Sequence, residues 1–185
     1  MSKQAPDYIV SGYSSRHHLL LDLDNTTPYK AIKLTEWILS KWKDLHACLL
    51  MISSTQDDIG IFYMVRDGNV LPHVSVRRWN IHAIFDGWQS TKQVRRRMTT
   101  LSDIGVISKV YHDISKFRNS MTLRISSKLA EDRYRPVPAY LTYLGNPEPQ
   151  GGIAEYLVQW QTFANLPDEI LNNPILGQVC LVGER

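Results

Sequence analysis

An apolar run of strand length that ends in carboxylates limits the possible folds of this chain more than any other segment. Residues 18–23 form this run, which is typical of a buried strand with a polar carboxyl end. Thr27 and Pro28 then match the N-cap and the first position of a helix, and an approximate apolar stripe continues to about Leu45. Residues 47–53 form a second apolar run. The order predicts a β-α-β unit.

The rest of the chain alternates short strand-like runs with helical patterns. Asp67-Gly68-Asn69 is a hairpin turn signal between two such runs, and Ser90 with Gln93 matches a capping box for a helix. Further strands are predicted at residues 59–65, 70–76, 80–85, 106–111, 121–126 and 140–144, and a final amphipathic segment at 153–163. This order favours an α+β fold in which helices back a mixed β-sheet.

Length and composition are those of an ordinary globular protein. The chain has 185 residues, of which 43% are hydrophobic, and its net charge is +3. No stretch approaches the roughly 18 apolar residues that span a bilayer, and no signal-peptide pattern begins the chain. Cys48 and Cys180 lie far apart, and neither a disulfide framework nor a cysteine metal cluster is available. We therefore expect one domain in a reducing cytoplasm, without a membrane partner.

Asp22 and Asp24 are the strongest candidates for chemistry. Side chains at positions i and i+2 of a strand point to the same face, so these two carboxylates can converge. Close carboxylates repel each other, and a hard divalent cation keeps both ionised. The alternative is a strand end that enters a polar turn. The apolar approach to the pair favours a site for Mg²⁺ or Mn²⁺.

Two families carry such a motif. Asp22, Asp24 and Thr26 resemble the D-x-D-x-T of the haloacid dehalogenase superfamily, and residues 49–53 resemble its second motif. This resemblance implies a phosphohydrolase with Asp22 as nucleophile and Asp24 as acid/base. That family also needs a later lysine and a distal acidic pair. No G-D dipeptide occurs, so the resemblance ends there.

The second resemblance covers roughly residues 17–128 and is to the archaeo-eukaryotic primase (primase-polymerase) superfamily. Its acidic motif is matched by Asp22-Leu23-Asp24, and its S-x-H strand by Asn80-Ile81-His82, with Asn80 in place of serine. The third motif, a strand aspartate, is matched by Asp113, and Leu123-Arg124 shortly before Lys128 completes the pattern. The resemblance implies an RRM-like sheet as the catalytic core, with a C-terminal extension at about residues 136–185.

The resemblance also implies an activity and its residues. The enzyme would be a DNA-directed primase-polymerase that uses Mg²⁺ or Mn²⁺, single-stranded DNA template and primer, and nucleoside triphosphates. A replicative helicase, fused or separate, is an expected partner, and a prokaryotic cell, a virus or a plasmid the expected source. Asp22, Asp24 and Asp113 would hold the metal and act in catalysis, and Asn80, His82, Arg124 and Lys128 would bind the nucleotide.

Arginine clusters are candidates for nucleic-acid binding. They are Arg77 with Arg78, and the helical run Arg95, Arg96 and Arg97, which spans about 200° of helix, so that at least one should lie near the rim of the buried face. Solvated surface is the alternative for each cluster. A catalytically inactive nucleic-acid-binding module would use only these arginines. A rolling-circle nuclease with Tyr111 as nucleophile would need a second histidine beside His82, which is missing.

Overall fold

The computed structural model describes residues 12–56, 62–66, 69–73, 78–125, 128–130, 133–135, 137–145 and 148–161, with the backbone alone at 55–78 and 128–135. The strands are β1 (Gly12–Ser15), β2 (Leu20–Thr26), β3 (Ala47–Gln56), β4 (Phe62–Arg66), β5 (Asn69–His73), β6 (Arg78–Phe85), β7 (Met121–Arg124), β8 (Lys128–Ala130), β9 (Arg133–Arg135) and β10 (Ala139–Gly145). The helices are α1 (Pro28–Lys41), α2 (Thr91–Asp103), α3 (Lys109–Arg118) and α4 (Gly151–Gln161).

The central sheet has four strands in the order β10-β3-β6-β2. Each neighbouring pair is antiparallel. Strands β2 and β3 therefore run in the same direction with β6 between them, and α1 connects them. The predicted β-α-β unit is thus present in a split form. The α+β class is confirmed, but the pairs described are antiparallel, where we expected a mixed sheet.

The register of the sheet decides which residues share a face. Asp22 pairs with His82, and His82 pairs with Met51, so all three lie on one face. Thr35 of α1 lies beside the Cys48 thiol, which belongs to the opposite face of the sheet. Helix α1 therefore covers the face away from Asp22 and His82.

Local sequence signals explain the helix ends. The Thr27 side chain accepts from the Lys30 amide, and Pro28 opens α1. The predicted capping box between Ser90 and Gln93 begins α2, whose buried residues are Val94, Met98 and Leu101. The predicted hairpin is also present, because β4 pairs with β5 and Arg66 lies opposite Asn69.

The strand predicted at residues 106–111 is wrong, because the chain forms helix α3 there. Ser108 caps this helix through a bond from the Tyr111 amide, and Asn119 ends it in the left-handed region with φ 56°. Val110, Ile114 and Phe117 recur at helical spacing, but all three are exposed. A short apolar run cannot distinguish a strand from a helix, and this stripe lies on the outer side.

The described residues of the C-terminal segment, 137–145 and 148–161, pack into the core. Strand β10 forms one edge of the central sheet through its pairing with β3. In α4, Ile153, Tyr156, Leu157 and Trp160 are all buried. No helix in the described part of the chain is both long and apolar enough to cross a membrane.

Candidate functional site

An open cleft of about 390 Å³ lies on the face of the sheet that carries Asp22 and His82. Its volume is within the range of small-molecule sites. Polar side chains from four strands and α3 converge on it. The lining residues are Gly12, Asp22, Asp24, Ser53, Asn80, His82, Tyr111, Ile114, Ser115, Arg118, Ser120, Thr122 and Arg124. The cleft therefore brings together four of the predicted motif residues of β2 and β6, together with Arg124.

The two predicted carboxylates both line the cleft, and a bulge in β2 separates their environments. The ladder with β6 shifts between Leu23 and Thr26, where β2 has one residue more than its partner. Asn25 within the bulge has a positive φ of 52°. Bulges redirect side chains at functional sites. Asp22 stays in the regular ladder with its side chain 33% exposed, while Asp24 lies in the exposed part of the bulge.

Asn80 supports this bulge. Its side-chain oxygen accepts a hydrogen bond from the Asn25 amide at 3.0 Å, and its nitrogen donates to the Ser54 hydroxyl at 3.0 Å. The amide side chain therefore connects the strand that carries Asp24 to β3. Serine, which the primase resemblance predicts here, is too short for both bonds. The structure thus gives Asn80 a positioning role in addition to its place in the cleft lining.

His82 is a buried, neutral histidine. Its side chain is 3% exposed, and its Nε2 lies 3.8 Å from Asp22 Oδ1, which is too far for a hydrogen bond. Burial, with a smaller contribution from the charge of Arg124, lowers the pKa of His82 to about 3. The contact with Asp22 is therefore not an ion pair at neutral pH. A neutral imidazole offers one donor and one acceptor to a ligand.

Arg124 supplies positive charge at the base of the cleft. It lies in β7, next to β1, and its guanidinium donates a hydrogen bond to the Ser53 carbonyl. Ser53 lies at a second bulge, where the β3–β6 ladder shifts between Ile52 and Ser54. The bulges of the β2–β6 and β3–β6 ladders thus both place residues in the cleft. Arg124 is half-buried, and burial of this kind favours a fixed position for its donors.

Helix α3 forms the other wall and contributes residues that the sequence reasoning did not assign to the nucleotide or metal site. Tyr111, Ser115 and Arg118 all face the cleft. The Tyr111 hydroxyl donates to the Leu20 carbonyl at 3.0 Å, and burial and the nearby Asp22 charge raise its pKa well above the usual value. The Ser108 cap and the Asn119 terminator were the signals for this helix.

Asp113 does not join the other two carboxylates. It lies on α3 instead of a strand, its side chain is 57% exposed, and its Oδ1 lies 2.9 Å from His112 Nδ1. It is not among the residues that line the cleft. The predicted placement of Asp113 on a strand is therefore wrong, and among the described residues Asp113 does not form a group of three metal-binding side chains with Asp22 and Asp24.

The predicted arginine run on α2 divides into three environments. Arg97 forms an ion pair with Asp44 at 2.6 Å, donates to Gln89 at 2.6 Å, and stacks over the Trp42 ring. Arg95 donates to the side chain of Asn119, and Arg96 is exposed. As the helical spacing predicted, one arginine lies near the rim of the buried face. This arginine is Arg97, whose bonds connect α2 to the loop after α1, so it has a structural role.

Arg77 and the side chains of Arg78 and Lys128 lie outside the described residues.

Asp22 and Asp24 fit a hard cation whose remaining coordination positions are filled by a bound substrate and by water. Among the described residues, no group of three or more His, Cys, Asp or Glu side chains is placed to hold a metal ion. Mg²⁺ is commonly bound by one or two carboxylates together with waters and substrate phosphates. Asp22 and Asp24, on one open cleft, are this kind of donor set.

Comparison with known proteins finds no protein-family model, curated protein or solved structure that matches this chain. The geometry of the cleft and the motifs that line it are therefore the basis for a functional conclusion.

Proposed function

We propose that the chain is a metal-dependent nucleotidyltransferase of the primase-polymerase type, which extends a nucleic-acid strand on a template. The observation that carries the proposal is the pairing of Asp22 with His82 across β2 and β6, in one cleft with Asp24 and Arg124. These four residues come from three separated sequence motifs of the primase resemblance. Their convergence on one cavity supports the resemblance more strongly than any motif alone.

Asp22 and Asp24 would hold Mg²⁺ or Mn²⁺ together with the phosphates of the incoming nucleotide. When bound, such an ion lowers the pKa of an attacking hydroxyl and neutralises the leaving pyrophosphate. The bulge that Asn80 supports keeps the second carboxylate at the open side of the cleft. Two carboxylates instead of three make the binding of metal depend on the triphosphate.

The chain's own cations and hydrogen-bond donors would orient the triphosphate. Arg118 and Arg124 line the cleft from α3 and β7, so they can approach an anion from two sides. Guanidinium groups bind phosphate oxygens in a fixed fork. His82 stays neutral beside Arg124, and a neutral imidazole can donate to a phosphate without adding a mobile charge.

The finer fold proposed is the RRM-like core of that superfamily. A split β-α-β unit with an inserted antiparallel strand, as formed by β2, α1, β3 and β6, supports it. Asp22 and His82 lie on the sheet face opposite α1, so the proposed site is built on a sheet face.

The described lining of the cleft does not fit the two other enzyme classes, a phosphohydrolase of the haloacid dehalogenase type and a nuclease with a tyrosine nucleophile. A phosphohydrolase of the haloacid dehalogenase type needs a lysine near its nucleophile, and no lysine is among the described residues that line the cleft. A tyrosine nucleophile needs an accessible hydroxyl of lowered pKa. The Tyr111 hydroxyl is bonded to the Leu20 carbonyl, and its pKa is raised.

The test is a primer-extension assay on a single-stranded template with Mn²⁺ and all four deoxynucleoside triphosphates, repeated with ribonucleotides. We expect Asp22→Asn to lower incorporation at least about 100-fold, because even residues that only support metal ligands cost about 10–100-fold. Asp113→Asn is the matched control, since Asp113 is an exposed carboxylate of the neighbouring helix. It should retain activity.

Two outcomes would contradict the proposal. Template-independent phosphatase activity that requires Asp22 would favour the phosphohydrolase. Binding of nucleic acid with no incorporation under any of these conditions would leave an inactive binding module.

A further inference from the structure

Helix α3 separates the cleft from a second cavity. This groove of about 70 Å³ lies between α2 and α3, and Ser115 and Ser120 line both cavities. The groove and the cleft therefore share α3 as a common wall.

The charged side chains that line the groove are all cationic. Arg16, Arg95 and Lys116 line it, and the described lining contains no aspartate or glutamate. His112 is also present, with Nε2 at 3.1 Å from the Thr99 hydroxyl. Three cations without a lining carboxylate form a surface that attracts anions. Arg95 is held in place by its bond to Asn119, the residue that ends α3.

The side chains of α3 point in distinct directions that match the two cavities. Each residue advances about 100° around a helix. Ser115 faces the protein and is buried, Lys116 lines the groove, and Arg118 lines the cleft. Phe117 lies between the two cations and is 91% exposed. Phe117 is therefore an exposed aromatic ring with a cation on either side of it on the helix surface.

We propose that α3 is the docking ridge for single-stranded nucleic acid: the groove between α2 and α3 binds the phosphates of the strand, Phe117 stacks on one of its bases, and Arg118 leads it into the cleft. Aromatic rings beside cations are the recurring means of binding single strands without sequence preference. A protein partner would need only apolar area on this face, where Val110 is also exposed. The alternation of cation, ring and cation favours nucleic acid. The claim that the strand continues into the cleft rests on the proposed function, whereas the binding of the strand to α3 does not.

The stacking claim is tested by fluorescence anisotropy with a labelled oligothymidylate of about 12 nucleotides, without metal or nucleotide. Phe117→Leu keeps most of the apolar area and removes the ring. It should weaken binding roughly 5- to 150-fold, the effect of losing one base–aromatic stack. Phe117→Trp should retain the affinity of the wild type. Val110→Ala, which removes apolar surface from the same helix face without a ring, is the control and should bind normally.

The phosphate path is tested by the salt dependence of the same binding. Arg16→Gln and Lys116→Gln should each reduce the slope of log K against log[salt] by about 0.7, the value for one lost contact to a single strand. Lys33→Gln removes an exposed charge from α1, on the opposite face of the sheet, and should leave the slope unchanged. Arg95 is left intact in this series because it also holds Asn119.

Wild-type affinity in Phe117→Leu would overturn the stacking role and assign the face to an apolar partner. Unchanged slopes in Arg16→Gln and Lys116→Gln would overturn the phosphate path. Because no catalysis is measured, these results are separable from those of primer extension. An active enzyme whose binding ignores Phe117 contradicts only the ridge, and an inactive protein whose binding needs Phe117 contradicts only the proposed activity.

Discussion

The two ends of the β2–β6 ladder contain the same types of buried polar residue but use them differently. At the closed end, formed by His18, Asp86 and the start of α4, both carboxylate oxygens of Asp86 and the Nδ1 of His18 have partners in the protein. Asp86 accepts from the Gly87 amide at 2.9 Å and from the Gln150 amide at 3.1 Å, and His18 Nδ1 lies 3.1 Å from the Ser15 hydroxyl. At the cleft end, His82 Nδ1 has no hydrogen-bond partner within the described part of the chain.

The difference in hydrogen bonding distinguishes the two ends more clearly than the types of residue do. Buried polar groups in proteins are nearly always satisfied, so the closed end is an ordinary solution to burial. At the cleft end, Asp22, His82 and Arg124 line an open cavity. A histidine and an aspartate are present at both ends. At the cleft end both line an open cavity, and mutations at the two ends should accordingly have different consequences.

At neutral pH, the largest effect on stability is expected from Asp86→Ala at the closed end. The change removes two hydrogen bonds to a buried carboxylate and should lower the free energy of unfolding by about 3 kcal/mol. Asp24→Ala at the cleft end should cost less than about 1 kcal/mol, because Asp24 is exposed to solvent. Urea denaturation of both variants measures the difference. Equal losses would show that the two ends are not distinct.

The pH dependence of the free energy of unfolding should also distinguish the two ends, because each end contains a buried histidine, His82 or His18. The pKa of His82 is lowered from 6.5 to about 3, so the unfolded chain binds a proton that the folded chain does not. Stability from this residue is therefore complete above pH 6.5 and is lost as the pH falls toward about 3, by up to about 1.4 kcal/mol per pH unit.

His82→Gln should remove this dependence from the unfolding free energy measured between pH 6.5 and pH 4. Burial also lowers the pKa of His18, but nearby Glu155 and Asp86 oppose the shift, so His18→Gln should flatten the dependence less. If the two variants flatten it equally, the cleft histidine is not the more strongly desolvated of the pair.

A smaller effect is expected from Asn80→Ser, which installs the residue that the primase resemblance predicts. Serine cannot reach both the Asn25 amide and Ser54, so the bulge should lose about 1 kcal/mol of support. Thermal unfolding measures the loss. Ser54→Ala removes only one of the two contacts and should cost less. A stabilising Asn80→Ser change would show that the bulge does not need this amide.

Local patterns predicted most of the central sheet and the part of the cleft lining that its strands and β7 contribute. Asp22, Asp24 and His82 lie on strands whose alternation is visible in the sequence, and Arg124 follows on a strand that was also predicted. The split topology was not predictable from these patterns, because the insertion of β6 between β2 and β3 depends on pairings between distant segments.

The errors arise where a local pattern supports two structures or where the partner is far away in sequence. Residues 106–111 are apolar enough for a strand, and only the Ser108 cap and the Asn119 terminator distinguish α3. Asp113 was then placed on the wrong element. The ion pair of Arg97 with Asp44 and the contact of Asn80 with Asn25 join residues more than fifty positions apart. Such contacts have no local signature.

The binding of Mn²⁺ with a non-hydrolysable deoxynucleoside triphosphate tests the central claim most directly. Because the cleft offers two carboxylates, Mn²⁺ and the analogue together should raise the melting temperature more than either alone. At a concentration of 100 times Kd, a ligand of the folded state adds about 2.7 kcal/mol of stability. The double variant Asp22→Ala, Asp24→Ala should fold and lose this joint increase, while Asp113→Ala should keep it. An increase of the same size in the double variant would contradict the account.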